Sequence, residues 1–353
     1  MTMKILQVCA YSAPYPGNFM KSLFALEKEA KNNGYSTVYC FPEKNKELDW
    51  CVELEKTNKV YYLPLRHARV LPKTYLQLIK IFKENPDICY AHSHFELYDN
   101  PLIITAPQNV KIFWHLHDAI GNYLHGVYKY VWKLHYSLFS KRAFLLSVSE
   151  KHKRVVVDLG FRESRAYYIP NAIDTERVLE VLPDRDKKYD FIIFGWDYFR
   201  KGVDLAISAV GDSSSELTLG IVGGNITNLN DTQKKYIHNV KPSTDINQVF
   251  SSTKCFLHIS RAEGLSYALL EALYSGLPVI VSDIEENLIA QEFPTAIMVK
   301  SEDVDEIREA MLRLVNNDFQ LTSQDVQKTR SLIEEHYSIN LWAKKIFNAY
   351  KTL

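Results

Sequence analysis

Short runs of β-forming residues alternate with amphipathic stretches along all 353 residues, and this alternation constrains the fold more than any other feature. The first half offers strand-like runs at 5–10, 35–41, 60–63, 88–92, 110–115 and 144–148, with helical patterns near 18–33, 72–84, 124–142 and 150–159. The second half offers runs at 191–195, 217–222, 255–259, 278–282 and 296–299, with helical patterns near 201–210, 245–252, 266–275, 303–317 and 324–336. Strands that alternate with helices predict parallel sheets covered by helices on both faces. Unbroken apolar runs such as Phe191-Ile192-Ile193-Phe194 suit strands buried on both sides. At about 100–200 residues per domain, the length predicts two α/β domains. The break falls near 170–189, where a turn at 171–174 is followed by a polar, proline-containing stretch at 182–188. Open α/β sheets take their ligands beyond the carboxyl ends of the strands. Function is therefore expected in the loops that follow strands, with a cleft between two facing sheets.

Composition narrows the function further. Forty-two basic and 42 acidic residues cancel, so there is no electrostatic case for nucleic acid. The five cysteines are scattered, form no Cys-x-x-Cys pair and lie in apolar runs, which suits free thiols in a reducing compartment. The first strand begins almost at the N-terminus and is too short for the apolar core of a signal peptide. No stretch reaches the ~18 apolar residues that span a bilayer. A cytoplasmic protein is expected.

The densest motif is 261–283, Arg-Ala-Glu-Gly-Leu-Ser-Tyr-Ala-Leu-Leu-Glu-Ala-Leu-Tyr-Ser-Gly-Leu-Pro-Val-Ile-Val-Ser-Asp. Ser266 suits the N-cap of a helix over 267–275, Gly276 its C′ position, and Pro278 prevents continuation. The amides of Gly264, Leu265 and Ser266 would then face an anion, with the positive end of the helix dipole behind them. Glu263 and Glu271 are eight residues apart, one in the loop and one in the helix. On pattern alone, Glu271 suits a solvated surface as well as a site.

Glu-Gly-x6-Glu-Ala followed by Gly-Leu-Pro-Val-Ile resembles the Glu-x7-Glu signature of family 4 glycosyltransferases, which are retaining enzymes of the GT-B fold. The resemblance implies two Rossmann-like domains with parallel sheets facing an interdomain cleft. It implies an acceptor-binding domain over 1–172, joined by a C-terminal helix over 338–353 that packs back on it, and a nucleotide-sugar-binding domain over 173–337. It further implies that Glu263 serves the donor sugar and Glu271 the ribose diol. Arg200 and Lys201, in the loop between the run 191–195 and the next helix, suit a diphosphate: Arg by paired hydrogen bonds, Lys as a compact charge. In the family an Arg/Lys pair in this loop holds the donor phosphates. Its commoner spacing would put the Arg at 196, which here is Trp196, and the adjacent Arg200-Lys201 follows the lipopolysaccharide-core glucosyltransferases instead.

Three weaker parallels complete the candidates. His117, at the end of the run 110–115, matches the histidine that the family places near the donor sugar. Gly17 stands where the family often has two glycines near the phosphates. Val240-Lys241 stands where the family's nucleobase is held by backbone atoms. A metal at His92-x-His94 and His115-x-His117 lacks a carboxylate or thiol to complete it, so no metal and no cofactor beyond the nucleotide sugar is expected. The pairs Asp184/Asp186 and Asp303/Asp305 suit a linker and a helix start better than a metal. Aromatic and basic residues share 123–142, a pattern that suits a core-packing helix with a basic outer face or, alternatively, a membrane surface or lipid-linked acceptor. The expected activity is hexosyl transfer from a nucleoside diphosphate-sugar, UDP favoured, to a saccharide or lipid-linked saccharide in bacterial surface polysaccharide synthesis. The rivals are a non-catalytic binding subunit and a sugar-nucleotide epimerase. Lys201→Ala and Glu263→Ala are expected to abolish transfer and leave the fold intact.

Overall fold

Each of the eleven strand-like runs forms a strand, and the strands gather into two wholly parallel sheets. The structure, a computed structural model, describes residues 2–66, 69–117, 127–181, 187–211, 217–224, 226–316 and 318–353. The first sheet holds β1 (Lys4–Cys9), β2 (Ser36–Pro42), β3 (Lys59–Leu63), β6 (Ile88–His94), β7 (Lys111–Leu116), β8 (Ala143–Ser147) and β9 (Ala166–Tyr168), in the order β3-β2-β1-β6-β7-β8-β9. A short antiparallel pair, β4 (Leu65–Arg66) and β5 (Arg69–Val70), stands apart from it. The second sheet holds β10 (Tyr189–Phe194), β11 (Leu219–Val222), β12 (Ile237–Val240), β13 (Thr253–His258), β14 (Val279–Ser282) and β15 (Ala296–Val299), in the order β12-β11-β10-β13-β14-β15. Two strands of the parallel sheets lack a strand-like run, β9, only 3 residues long, and β12, whose Ile-His-Asn-Val breaks the apolar pattern; the 2-residue strands β4 and β5 lack one as well.

The chain forms two units, Met1–Asn171 with Ile339–Leu353, and Ala172–Ser338. The division thus falls at the turn rather than in the polar stretch, of which 182–186, with Asp184 and Asp186, lie outside the described residues. The last helix, Ile339–Thr352, packs in the first unit against the helix Gly17–Asn32 and buries Trp342, Ile346, Phe347 and Tyr350. In the second unit, Phe191, Ile193, Leu219, Ile221, Cys255 and Leu257 from three adjacent strands share one core with the helix Val203–Val210. Burying each such side chain contributes about 1.5–3 kcal/mol, which is what holds the carboxyl ends of these strands in fixed positions. All five cysteines are free thiols, four of them buried. Among the described residues no helix is long and apolar enough to cross a membrane.

Candidate functional site

In the second unit the loops after β10 and β13 meet over a buried ion cluster. The loop after β10 is fixed by Gly202, which has a left-handed φ of 73°. A Cβ there would lie 2.3 Å from the carbonyl oxygen of Ile259, so only glycine lets this loop rest directly on the exit of β13. That close approach brings Lys201 to the next loop, where its Nζ donates to Glu263 Oε1 at 2.6 Å. Arg200 donates from Nη1 to Glu263 Oε2 at 3.2 Å and from Nε to Asp197 Oδ2 at 2.7 Å. Arg261 braces the same loop with a fork of two 2.8 Å bonds to Asp204 and one at 2.6 Å to the carbonyl of Phe199.

Lys201 and Glu263 are 8% and 5% exposed, so the pair is a buried one. Burial alone would raise the Glu263 pKa, but Lys201, His258 and Arg200 more than reverse it and hold it at about 2. His258 closes the cluster from the end of β13, with Nε2 4.0 Å from Glu263 Oε1. Burial drives its pKa down to about 4, so it stands neutral beside the ion pair. Neither His258 nor the counter-ion Asp197 was singled out from sequence. The only available signal was the position of each just after an apolar strand core.

The helix Tyr267–Tyr274 has the expected cap: the Ser266 side chain accepts from the amide of Leu269 at 3.4 Å. Gly276 follows it with a φ of 83°, as its C′ role requires. Leu265 is buried. Glu271 is not a solvated surface residue. It is 5% exposed, and Arg177 Nη2 lies 3.6 Å from its Oε1. Leu269, Leu270 and Leu273 carry the helix into the core and turn Glu271 inward beside them. Val240 ends β12, and its carbonyl accepts from the amide of Gly223 at 3.0 Å, so this backbone is already partly engaged. Asp303 caps the helix Val304–Val315 by accepting from the amide of Glu306, as a helix-start residue should.

His117 and Gly17 belong to the first unit. Gly17 opens the helix Gly17–Asn32 with a φ of 54°. His117 ends a chain of buried polar groups that the register of β6 on β7 assembles, with His94 opposite His115. Gln7 Oε1 can only accept, so its 3.0 Å bond to His94 places the proton on His94 Nε2. The neutral ring then accepts at Nδ1 from His117 Nε2, 3.1 Å away. Gln7 Nε2 donates to Tyr350 Oη at 3.2 Å, which frees the Tyr350 proton for His92 Nδ1 at 2.5 Å. Burial, reinforced by neighbouring imidazoles, holds His92, His94 and His115 far below the ordinary histidine range. Burial likewise takes His117 down to about 3, against an interaction with the Asn171 side chain that raises it. Among the described residues, His92, His94 and His115 place ligand atoms within 4.8 Å of one another, a grouping able to hold a metal only if His94 gave up one of its two bonds.

Two parallel α/β units, the second with a cation-carboxylate cluster at the carboxyl end of its sheet, define a protein of two Rossmann-like domains. Residues 188–317 match the family described as Glycosyl transferases group 1, and residues 21–177 match Glycosyltransferase Family 4. Together the matches span most of the chain, which belongs to the glycosyltransferases of GT-B type. Among solved structures it is similar to Anabaena Alr3699/HepE in complex with UDP-glucose, at 15% identity and a TM-score of 0.76, with 99% of this chain and 100% of that chain covered. It is also similar to the sucrose-phosphate synthase of Thermosynechococcus elongatus, at 13% identity and a TM-score of 0.77, covering 99% and 98%. A third similar structure is the lipopolysaccharide outer core galactosyltransferase WaaB, at 15% identity and a TM-score of 0.68, covering 99% and 100%. No curated protein matches the chain.

Proposed function

We propose that this chain is a retaining hexosyltransferase that takes its hexose from a nucleoside diphosphate-sugar, UDP-sugar favoured, and passes it to a saccharide or lipid-linked saccharide. The observation that carries this reading is the buried Glu263 carboxylate shared by Arg200 and Lys201, next to the capped helix tip at 264–266. A departing diphosphate develops charge as the sugar leaves. Two fixed cations and a helix N-terminus stabilise that charge without reorganising. Transfer on this reading needs no divalent ion and no cofactor. Glu263, held ionised, faces the positive centre of an oxocarbenium-like sugar, and Glu271 accepts from the ribose diol. The acceptor hydroxyl bonds to the anomeric carbon from the side the phosphate leaves. The carbon–oxygen bond to phosphate breaks, and the departing phosphate oxygen takes the acceptor's proton. His117 and Gly17 keep the sugar and phosphate roles that the resemblance implies, and Val240 the base.

The UDP complexes of the similar Anabaena protein favour a uridine donor. Saturation-transfer NMR against a panel of nucleotide sugars, followed by an acceptor screen, tests the reading. A UDP-hexose signal and a product with the donor's anomeric configuration are expected. An inverted product, or a donor isomerised with no acceptor present, would refute it.

A place at the inner face of the plasma membrane, in surface polysaccharide synthesis, is the corresponding location. The helix Val127–Phe139 turns Tyr136 inward but exposes Tyr130, Val131, Leu134 and Leu138, at 74%, 60%, 62% and 52%. A core-packing helix with a merely basic outer face does not account for that stripe. Lys129 and Lys133 flank it, and such a face suits an anionic lipid surface. Wild type should co-sediment with vesicles rich in phosphatidylglycerol, and Leu134→Glu should lose most of that binding. Equal binding by both would remove the membrane role.

A further inference from the structure

We infer that Trp196 is the residue on which the nucleobase of the donor stacks; this rests on the donor-site reading above. Trp196 stands where the commoner spacing of the family puts the arginine of its phosphate-binding pair, so its role cannot be the ionic one. Its indole is 54% exposed, whereas Trp50, Trp114 and Trp342 are 9%, 0% and 3% exposed. Tyr198 and Phe199 follow it at 44% and 63%, so this loop presents a cluster of aromatic surface to solvent beside the ion cluster. Isolated exposed aromatics need no explanation, but three within four residues next to a binding site do.

The placement of the ring selects the base rather than the sugar. The indole is backed by Phe194, with centroids 4.7 Å apart and planes 28° apart, which fixes its orientation. It reaches across the exits of β10 and β11. A Cβ on Gly223 would lie 3.6 Å from its Cε3 and 3.5 Å from Pro242 Cγ, so the floor beside the ring is bare backbone. Lys201 Nζ lies 5.7 Å from the ring centroid and 2.6 Å from Glu263. In the sheet order, β11 and β12 lie on one side of β10, and β13, which leads to Glu263, lies on the other. A diphosphate held at Lys201 with its sugar at Glu263 must send its nucleoside end the other way. That way leads over Gly223 and along the Trp196 face, toward the end of β12. A flat heteroaromatic ring on an indole supplies affinity whatever its substituents, so Trp196 sets the strength of nucleoside binding. The backbone around Val240 is left to read the base edge.

The other four tryptophans, at 50, 114, 132 and 342, lie in the first unit, so the quenching that wild type shows and Trp196→Phe lacks reports on Trp196. UDP should quench the emission of wild type and leave that of Trp196→Phe nearly unchanged. Base–aromatic stacking predicts that Trp196→Ala binds UDP about ten-fold to a hundred-fold more weakly, with inorganic pyrophosphate binding unaltered. Trp196→Phe should keep most of the affinity. Undiminished UDP affinity in Trp196→Ala would overturn the stack while the donor site stands. Equal weakening of UDP and pyrophosphate would overturn it by putting the indole on the phosphates. Weakening of UDP-glucose without weakening of UDP would overturn it by putting the ring on the sugar. A wild type that binds neither UDP nor pyrophosphate would overturn the donor site and the stack together.

Discussion

Lys201→Ala is expected to lower transfer by about a hundred-fold to a thousand-fold and, at the same time, to destabilise the second unit by about 3–5 kcal/mol. The first figure follows from removing one preorganised cation from a developing oxyanion. The second follows from leaving Glu263, 5% exposed, with Arg200 as its one remaining close cation. Lys201→Ala is thus predicted to keep its fold at lower stability, since a loss of about 3–5 kcal/mol falls within the ~5–15 kcal/mol typical of a domain. Cavity and charge effects are separated by the double variant Lys201→Met/Glu263→Gln, which removes both charges at nearly constant volume. Its urea midpoint should return close to wild type, because a buried ion pair replaced as a unit costs little. Its transfer rate should stay as low as that of Lys201→Ala. A double variant that recovers activity together with stability would show the pair to be a brace and not part of the chemistry.

Acidification is expected to act on the first unit. His92, His94, His115 and His117 are all buried and all held far below the ordinary histidine pKa. The unfolded chain takes up protons at about 6.5 on each histidine, whereas the folded unit resists until far lower pH. Stability that is fully present above about pH 6.5 is therefore lost as pH falls below it. At pH 5.5 the loss is about 1.4 kcal/mol per histidine and about 6 kcal/mol for the four, comparable with the whole stability of a small domain. Trp196→Phe confines the fluorescence to the first unit, and its urea midpoint at pH 5.5 should fall well below that at pH 7.5. Equal midpoints at the two pH values would mean that these imidazoles are already charged or already wet in the folded state.

The contrast between these two clusters shows what was legible in the sequence. Lys201, Glu263, Ser266 and Gly276 are local features. A loop between a strand and a helix, a cap and a C′ glycine are written within a few residues, so their places follow from the order of residue types. The histidine chain is not local. His94 meets His117 only because β6 lies on β7 in one register, and His92 meets Tyr350 across 258 residues. Glu271 looks like a surface glutamate on a helical projection, and its burial depends on Arg177, which arrives from a segment before β10. β12 has no strand signature because His238 and Asn239 occupy half of a 4-residue strand at the sheet edge, where one side needs no apolar partner. The exposed stripe of the helix Val127–Phe139 was equally hidden, since its apolar residues fit burial until the solvent-facing side is known.

Donor binding on this reading requires that a pyrophosphate be gripped at Lys201 and the adjoining helix tip. Calorimetric titration of UDP into wild type and into the charge-free Lys201→Met/Glu263→Gln variant measures this directly. Saturable binding by wild type and an affinity at least about a hundred-fold weaker in the folded variant are predicted. Equal affinities in the two proteins would contradict it.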